Sequence, residues 1–282
     1  MPIPAVERLP AKLSQVQFPR RRREVKSTLW TPGGFGALTI TKAITIDGGG
    51  GQVASVLVSG TSGIVVSAGA GTVTLRNLRI NGVAGTPTGG LNGIQFQSGA
   101  ALHIENCTVF DFTQNGININ LSSASPVRVF VTDTVVSNSV GGTAIRNAGA
   151  GNVFFSMQKT TLAQNSSFGL KIDGSGGAGA ILSAVSDSMI AGNGTGVSVV
   201  GGPSINTDIQ VTRSSVANNV TNGMMADGTA GPATILSSET LISGNGTGLS
   251  SVAGGKFFTY KNNIVNGNVT SDGAFTGTIV PE

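Results

Sequence analysis

The chain has a single histidine, His103, and the residues able to do chemistry gather around it at regular intervals. Glu105 lies two positions on, so on a strand the imidazole and the carboxylate share one face. The ring can take or give a proton near neutral pH while the carboxylate holds its charge state. Arg76 and Arg128 lie about one repeat to either side, and a guanidinium is the group that offsets a substrate carboxylate. Phe130 and Phe154 add two ring faces on which a sugar can stack. His103, Arg76, Glu105 and Arg128 are therefore the catalytic candidates, and with Phe130 and Phe154 they form the candidate binding surface. The competing account of the same residues is a mixed outer wall in which Arg76 and Glu105 pair for strand stability alone.

Other chemistries are argued against by composition. Cys107 is the only cysteine, which rules out an intramolecular disulfide, and with one histidine it rules out a Cys/His zinc site. It is expected to pack as a small buried hydrophobe. No column of the repeat described below places Asp or Glu on consecutive coils, so neither a calcium cage nor any other metal or cofactor is expected. The positive net charge is local: seven of the 17 Lys and Arg and two of the 13 acids fall in residues 1–30, a net of +5, while the remaining ten bases and eleven acids give −1. The body thus lacks a general phosphate-binding field, and no nucleic-acid partner is expected. No apolar run approaches the roughly 20 residues that span a bilayer.

The elements that position the candidate residues come from an internal repeat. Anchors at Asn77, Asn106, Asp133, Lys159, Asp187, Arg213, Glu239 and Asn262 recur every 23 to 29 residues, and three positions after each stands an aliphatic residue, from Ile80 to Val265. Two positions before the anchors stand Leu75, Ile104, Val131, Met157, Val185, Val211, Ser237 and Tyr260; four before stand Val73, Leu102, Val129, Phe155, Ser183, Ile209, Ile235 and Phe258. A spacing of two is the period of a strand with one buried face. A third inward column follows a small residue, as in Gly93-Ile94, Gly116-Ile117, Ala144-Ile145 and Gly169-Leu170. Three short strands per repeat cannot pair within one repeat, so each must pair with its copy in the next. The fold class is all-β: a right-handed parallel β-helix of about ten coils, three short strands per coil.

In that register the outward positions of the strand before each anchor bring Arg76 beside Glu105 and His103 beside Phe130, while later coils offer mainly Ala, Ser, Thr and Gln. Six positions after the anchors run Ser139 and then Asn165, Asn193, Asn219, Asn245 and Asn268, expected as a structural amide ladder at a tight, left-handed turn. The apparent glycosylation sequons at Asn193 and Asn245 are by-products of this ladder. The anchors Asp133, Lys159, Asp187, Arg213 and Glu239 alternate in sign, which predicts a solvent-facing corner stripe of neighbouring pairs. Residues 31–282 read as one domain. Residues 1–30 read as a basic extension, disordered or a poor capping helix, and as an altered start of the chain.

Phrases such as Ile190-Ala-Gly-Asn-Gly-Thr-Gly-Val197, Ile242-Ser-Gly-Asn-Gly-Thr-Gly-Leu249 and Leu91-Asn-Gly-Ile-Gln-Phe96 recur along the body. On these, residues 31–282 resemble bacterial right-handed parallel β-helix repeat proteins of the pectate-lyase-like superfamily. The resemblance implies an extracellular or periplasmic protein and a polysaccharide partner, and it does not fix a reaction. Asn206-Thr-Asp208 matches one fragment of the polygalacturonase pattern, whose other parts are missing. The function expected is an exported or surface-associated scaffold, a glycan-binding module without a catalytic constellation. The alternative is a polysaccharide lyase acting by β-elimination, with Arg76 or Arg128 neutralising a uronate and His103 or an arginine as base; a glycoside hydrolase ranks below it. Self-association through exposed coil ends is a further expectation, with Phe275 and Ile279 folding back as a partial cap.

Overall fold

The computed structural model describes residues 25–28, 33–49, 54–83, 85, 88–203 and 207–280, with the backbone alone for 25–28 and 33–34. Most of residues 1–30, and Asn206 of the fragment noted above, lie outside the described residues. Within them every regular element is a strand, and the strands stack into three parallel sheets of 11, 10 and 9 members. Each coil contributes a strand to sheet A, then sheet B, then sheet C, and every strand pairs with its equivalent one coil away. The parallel β-helix expected from the repeat is what the chain forms. Its described part begins with Val25–Thr28, which pairs with Ile44–Asp47, so the first rung precedes Thr31, where the repeat first becomes readable.

The coil closes through two kinds of corner. Between sheets A and B a single residue turns the chain: Asn77, Asn106, Asp133, Lys159, Asp187, Arg213, Glu239 and Lys261 all have φ between 44° and 66°. Such a conformation costs a non-glycine residue roughly 1–2 kcal/mol, which Asn and Asp tolerate best. It is held here by the sheets on both sides. Between sheets B and C a second left-handed column runs through Asp111, Asn138, Gln164, Gly192, Asn218 and Gly244.

The core is a continuous column of aliphatic and phenyl side chains, with Ile64, Leu75, Ile104, Ile119, Phe96 and Phe257 among those fully buried. Sheet A registers Leu75, Ile104, Val131, Met157, Val185, Val211 and Ser237 inward, as the period-two pattern predicts.

Two register expectations are corrected. In the coil of Gly141–Asn147 the slot shared by Ile117 and Leu170 is filled by Thr143, after Gly142, and Ile145 pairs one step on with Ile119 and Ile172. Gly142 must be the small residue, because a Cβ there would lie 2.3 Å from the Gly169 carbonyl oxygen. In the last full strand of sheet A the inward residues are Phe257 and Thr259, not Phe258 and Tyr260. The corner that follows holds one extra residue, since Lys261 takes the left-handed position while Val265 still pairs with Ile242. A slip of one reverses the faces of a strand, so an insertion assigned to the wrong side of a corner misplaces the whole strand.

Two polar ladders run inside the coil. The asparagines bond to one another along the axis: Asn165 Nδ2 donates to Asn193 Oδ1 at 2.9 Å, Asn193 to Asn219 at 3.1 Å, Asn219 to Asn245 at 2.8 Å and Asn245 to Asn268 at 2.9 Å. Each Oδ1 also accepts the backbone N–H of the preceding rung, and the series ends on the Asp272 carboxylate, which accepts from Asn268 Nδ2 at 2.8 Å. The left-handed residue is the one before each ladder asparagine and not the asparagine itself. The second ladder follows the first corner: Thr134, Thr160, Ser188, Ser214 and Thr240 each return a hydroxyl hydrogen bond to the carbonyl two residues back.

Candidate functional site

The outer face of sheet A is a set of three parallel rows, one residue per coil in each. The row nearest the first corner holds Asp47, Arg76, Glu105 and Thr132; the middle row holds Thr74, His103, Phe130 and Ser156; the far row holds Ala101, Arg128, Phe154 and Leu182. All six candidate binding residues therefore lie on one sheet face, in the register the repeat predicts. His103 stacks on Phe130 with ring centroids 4.8 Å apart and planes 20° from parallel. The Arg128 guanidinium sits 5.3 Å from the centre of the Phe154 ring. These are two planar pairs side by side on adjacent coils.

Arg76 departs from expectation. It registers beside Glu105, but its Nε donates to Asp47 Oδ2 at 2.8 Å, and no ion pair joins it to Glu105. Asp47 also accepts from Asn77 Nδ2 at 2.7 Å, and these bonds together hold its carboxyl below the ordinary range against the opposing effect of burial. A guanidinium so engaged is poorly placed to neutralise a uronate.

The turns that flank this face are short. Those from sheet C into sheet A between residues 99 and 255 run from two residues, Gly99 and Ala100, to seven, at 174–180, and the opposite corner between residues 106 and 240 is two residues, the first of them left-handed. No long loop among the described residues rises beside Arg76 to Phe154 to make a cleft. The face carries a depression of about 280 Å³ bounded by Phe130, Phe154, Leu182 and Ala184. Among the described residues no group of three or more His, Cys, Asp or Glu could hold a metal ion.

Further along the same face the outward residues are mainly Ala, Ser, Thr and Gln, as expected, with larger and charged groups among them. Leu182, Asp208, Leu236 and Phe258 line a second depression of about 410 Å³ with Ile279. Asp208 is half-buried there, and desolvation pushes its carboxyl above the ordinary value, with Thr234 partly opposing. The sequence signal for it was the outward row itself, five positions before Arg213.

Away from this face the expected roles hold in part. Cys107 is buried, its Sγ within 3.3 Å of the Glu105 carbonyl oxygen, and burial pushes the thiol up to about 11. Asn193 and Asn245 have no exposed surface and their amides are spent in the ladder. The corner stripe closes one of its expected pairs: Arg213 meets Asp187 through two bonds of 2.9 and 3.1 Å. Among the described residues Lys159 and Glu239 close no ion pair.

A three-sheet parallel solenoid with interior polar ladders and an uncleft outer face defines a β-helix protein. Residues 62–239 match the family described as "Right handed beta helix region", and the chain belongs to that family. Among solved structures it is similar to pectate lyase Pel9A, with a TM-score of 0.60 and 14% identity over 90% of this chain and 69% of that one. It is similar also to the catalytic unit of a thermostable GH87 alpha-1,3-glucanase from Streptomyces thermodiastaticus strain HF3-3, with a TM-score of 0.51 and 14% identity over 89% of this chain and 61% of that one. At such identities the likeness is one of fold. No curated protein matches the chain.

Proposed function

We propose that this chain is an exported or surface-associated β-helix scaffold that binds an acidic glycan along the outer face of sheet A and does not cleave it. The observation that carries the reading is the pairing of Arg128 with Phe154 and of His103 with Phe130 on adjacent coils of a flat wall. Ring faces stack on sugar, a guanidinium orients a uronate, and a rigid sheet holds both at fixed spacing. Catalysis needs more: a base beside the reacting carbon and a separate charge to stabilise the carbanion. Here the one histidine lies flat on a phenyl ring and Arg76 is bound to Asp47. The carbohydrate-active proteins named above support a polysaccharide ligand.

Calorimetric titration with pectate, alginate and hyaluronan tests this. At least one is expected to bind, with Arg128→Ala and Phe154→Ala each weakening it about three- to tenfold, the scale of one ring or cation contact. No unsaturated uronide absorbance should develop. Product formation that is lost in Arg76→Ala and His103→Ala would replace this reading by the lyase.

A further inference from the structure

A groove of about 820 Å³ follows the corner between sheets A and B from Lys159 to Ile264, away from the outer face of sheet A that carries His103 and Arg128. One wall is the corner stripe, whose charges run Lys159, Asp187, Arg213, Glu239 at one residue per coil. The other is the first outward row of sheet B, where Met189, Leu241 and Ile264 are 46%, 40% and 64% exposed. The row also carries small residues, Thr161 one coil before Met189 and Ser215 between Met189 and Leu241.

Both rows have a symmetry that a single chain does not use. Coils rise about 4.8 Å each, so a second copy has the same pitch and meets the first coil for coil. If two copies lie side by side and parallel, each charge faces its own kind. If they lie antiparallel about a two-fold axis between the coils of Asp187 and Arg213, the order plus, minus, plus, minus faces its reverse. Lys159 then meets Glu239 of the second copy, and Asp187 meets Arg213. The same operation sets Met189 against Ser215 and Leu241 against Thr161, a large residue facing a small one at both positions. One coil further out, the same operation sets Val135 against Ile264, two exposed apolar groups that cover each other. Lys159 and Glu239, which close no ion pair among the described residues, gain partners in this arrangement.

We propose that the A–B corner groove is the interface of an antiparallel homodimer with its two-fold axis between the Asp187 and Arg213 coils. The contact is isologous, so it closes at two copies. It leaves the outer faces of sheet A open.

Sedimentation velocity over a wide concentration range, on the full chain and at low salt, tests the arrangement through a charge exchange. The wild type is expected to dimerise. Lys159→Glu and Glu239→Lys each place two like-charge contacts in the interface and should weaken the dimer about tenfold or more. The double variant restores opposite charges across the interface at positions 159 and 239, with their signs exchanged. Along one chain it does the reverse, setting an acid at position 159 between Asp133 and Asp187. Recovery of the dimer in the double variant is therefore expected only from the intermolecular pairing. Thermal unfolding of each variant checks that the coil is intact. A wild type that stays monomeric throughout, a dimer indifferent to both single changes, or a double variant that fails to recover would each overturn the proposal.

Discussion

Asn219 makes and receives four buried hydrogen bonds: its Nδ2 donates to Asn245 Oδ1 and to the Ile190 carbonyl oxygen, and its Oδ1 accepts from the Asn193 backbone and side chain. Asn219→Ala leaves several of these groups without partners in a place water cannot reach, and is expected to cost about 3 kcal/mol in denaturant unfolding. Asn219→Ser should recover part of that, because Ser139 already plays this role for the Phe112 N–H. Asp187, half-buried at the corner, behaves otherwise. Its hydrogen bonds with Arg213 hold the folded carboxyl down to about 2, below its ordinary 3.8. The favourable contribution is therefore complete above the ordinary value and is lost as pH falls from there through about 2. Carboxyl chemical shifts followed against pH should show that low midpoint in the wild type and an ordinary one in Arg213→Ala, with the difference shrinking as salt is added. The ladder was legible in the sequence because its members recur at a fixed distance from the anchors. Which residue of the turn is left-handed was not, because the asparagine and its predecessor recur together. The pairing of Arg76 with Asp47 was missed for a different reason: Asp47 lies in a coil without a recognised anchor, so only Glu105 was in view as a neighbour.

At the scale of the strand and its corners, the repeat is constrained most tightly where chains of successive coils approach closest. A Cβ on Gly196 would stand 2.4 Å from the Gly223 carbonyl oxygen and 2.8 Å from Asn219 Nδ2, against backbone and ladder that have no room to move. Gly196→Ala is expected to destabilise by about 2–3 kcal/mol. A Cβ on Gly36 would meet nothing within 4 Å among the described residues and its φ is ordinary, so Gly36→Ala should stay within about 0.5 kcal/mol. A thermal melt of the two variants beside the wild type separates a packing glycine from a merely permissive one. Small residues before the inward column were readable along the chain, and they located sheet C correctly except at Ala144, where Gly142 fills the slot. Both Gly142 and Ala144 are small, and only the approach of the next coil's backbone distinguishes them. The hydroxyl ladder of Thr134 to Thr240 stood in the sequence one position after each anchor, but short polar residues at a corner read equally well as solvent-facing.

For the whole molecule the open question of a solenoid is what covers its last rung, since an exposed strand edge recruits other chains. Here the chain adds a further short parallel strand to sheet A instead of folding back as expected of Phe275 and Ile279. Phe275 packs against the core, Gly277–Thr278 pairs with Phe258–Thr259, and the Ile279 N–H donates to the Thr259 carbonyl oxygen at 2.9 Å. Asp272 closes the asparagine ladder in the same segment, so one short stretch satisfies both the apolar column and the polar one. Removing residues 270–282 should uncover the edge of Lys256–Thr259, the end of the core and the last ladder amide together. The expected result is head-to-tail association whose mass keeps growing with concentration, because a heterologous contact does not close. Side-by-side pairing through the corner groove would stop at two copies, and carrying Lys159→Glu in the truncated chain weakens that contribution. Light scattering of the truncated variant that shows growth beyond a dimer identifies residues 270–282 as the cover of the Lys256–Thr259 edge, and a truncated chain that remains a folded monomer at every concentration would show that the bare edge is tolerated.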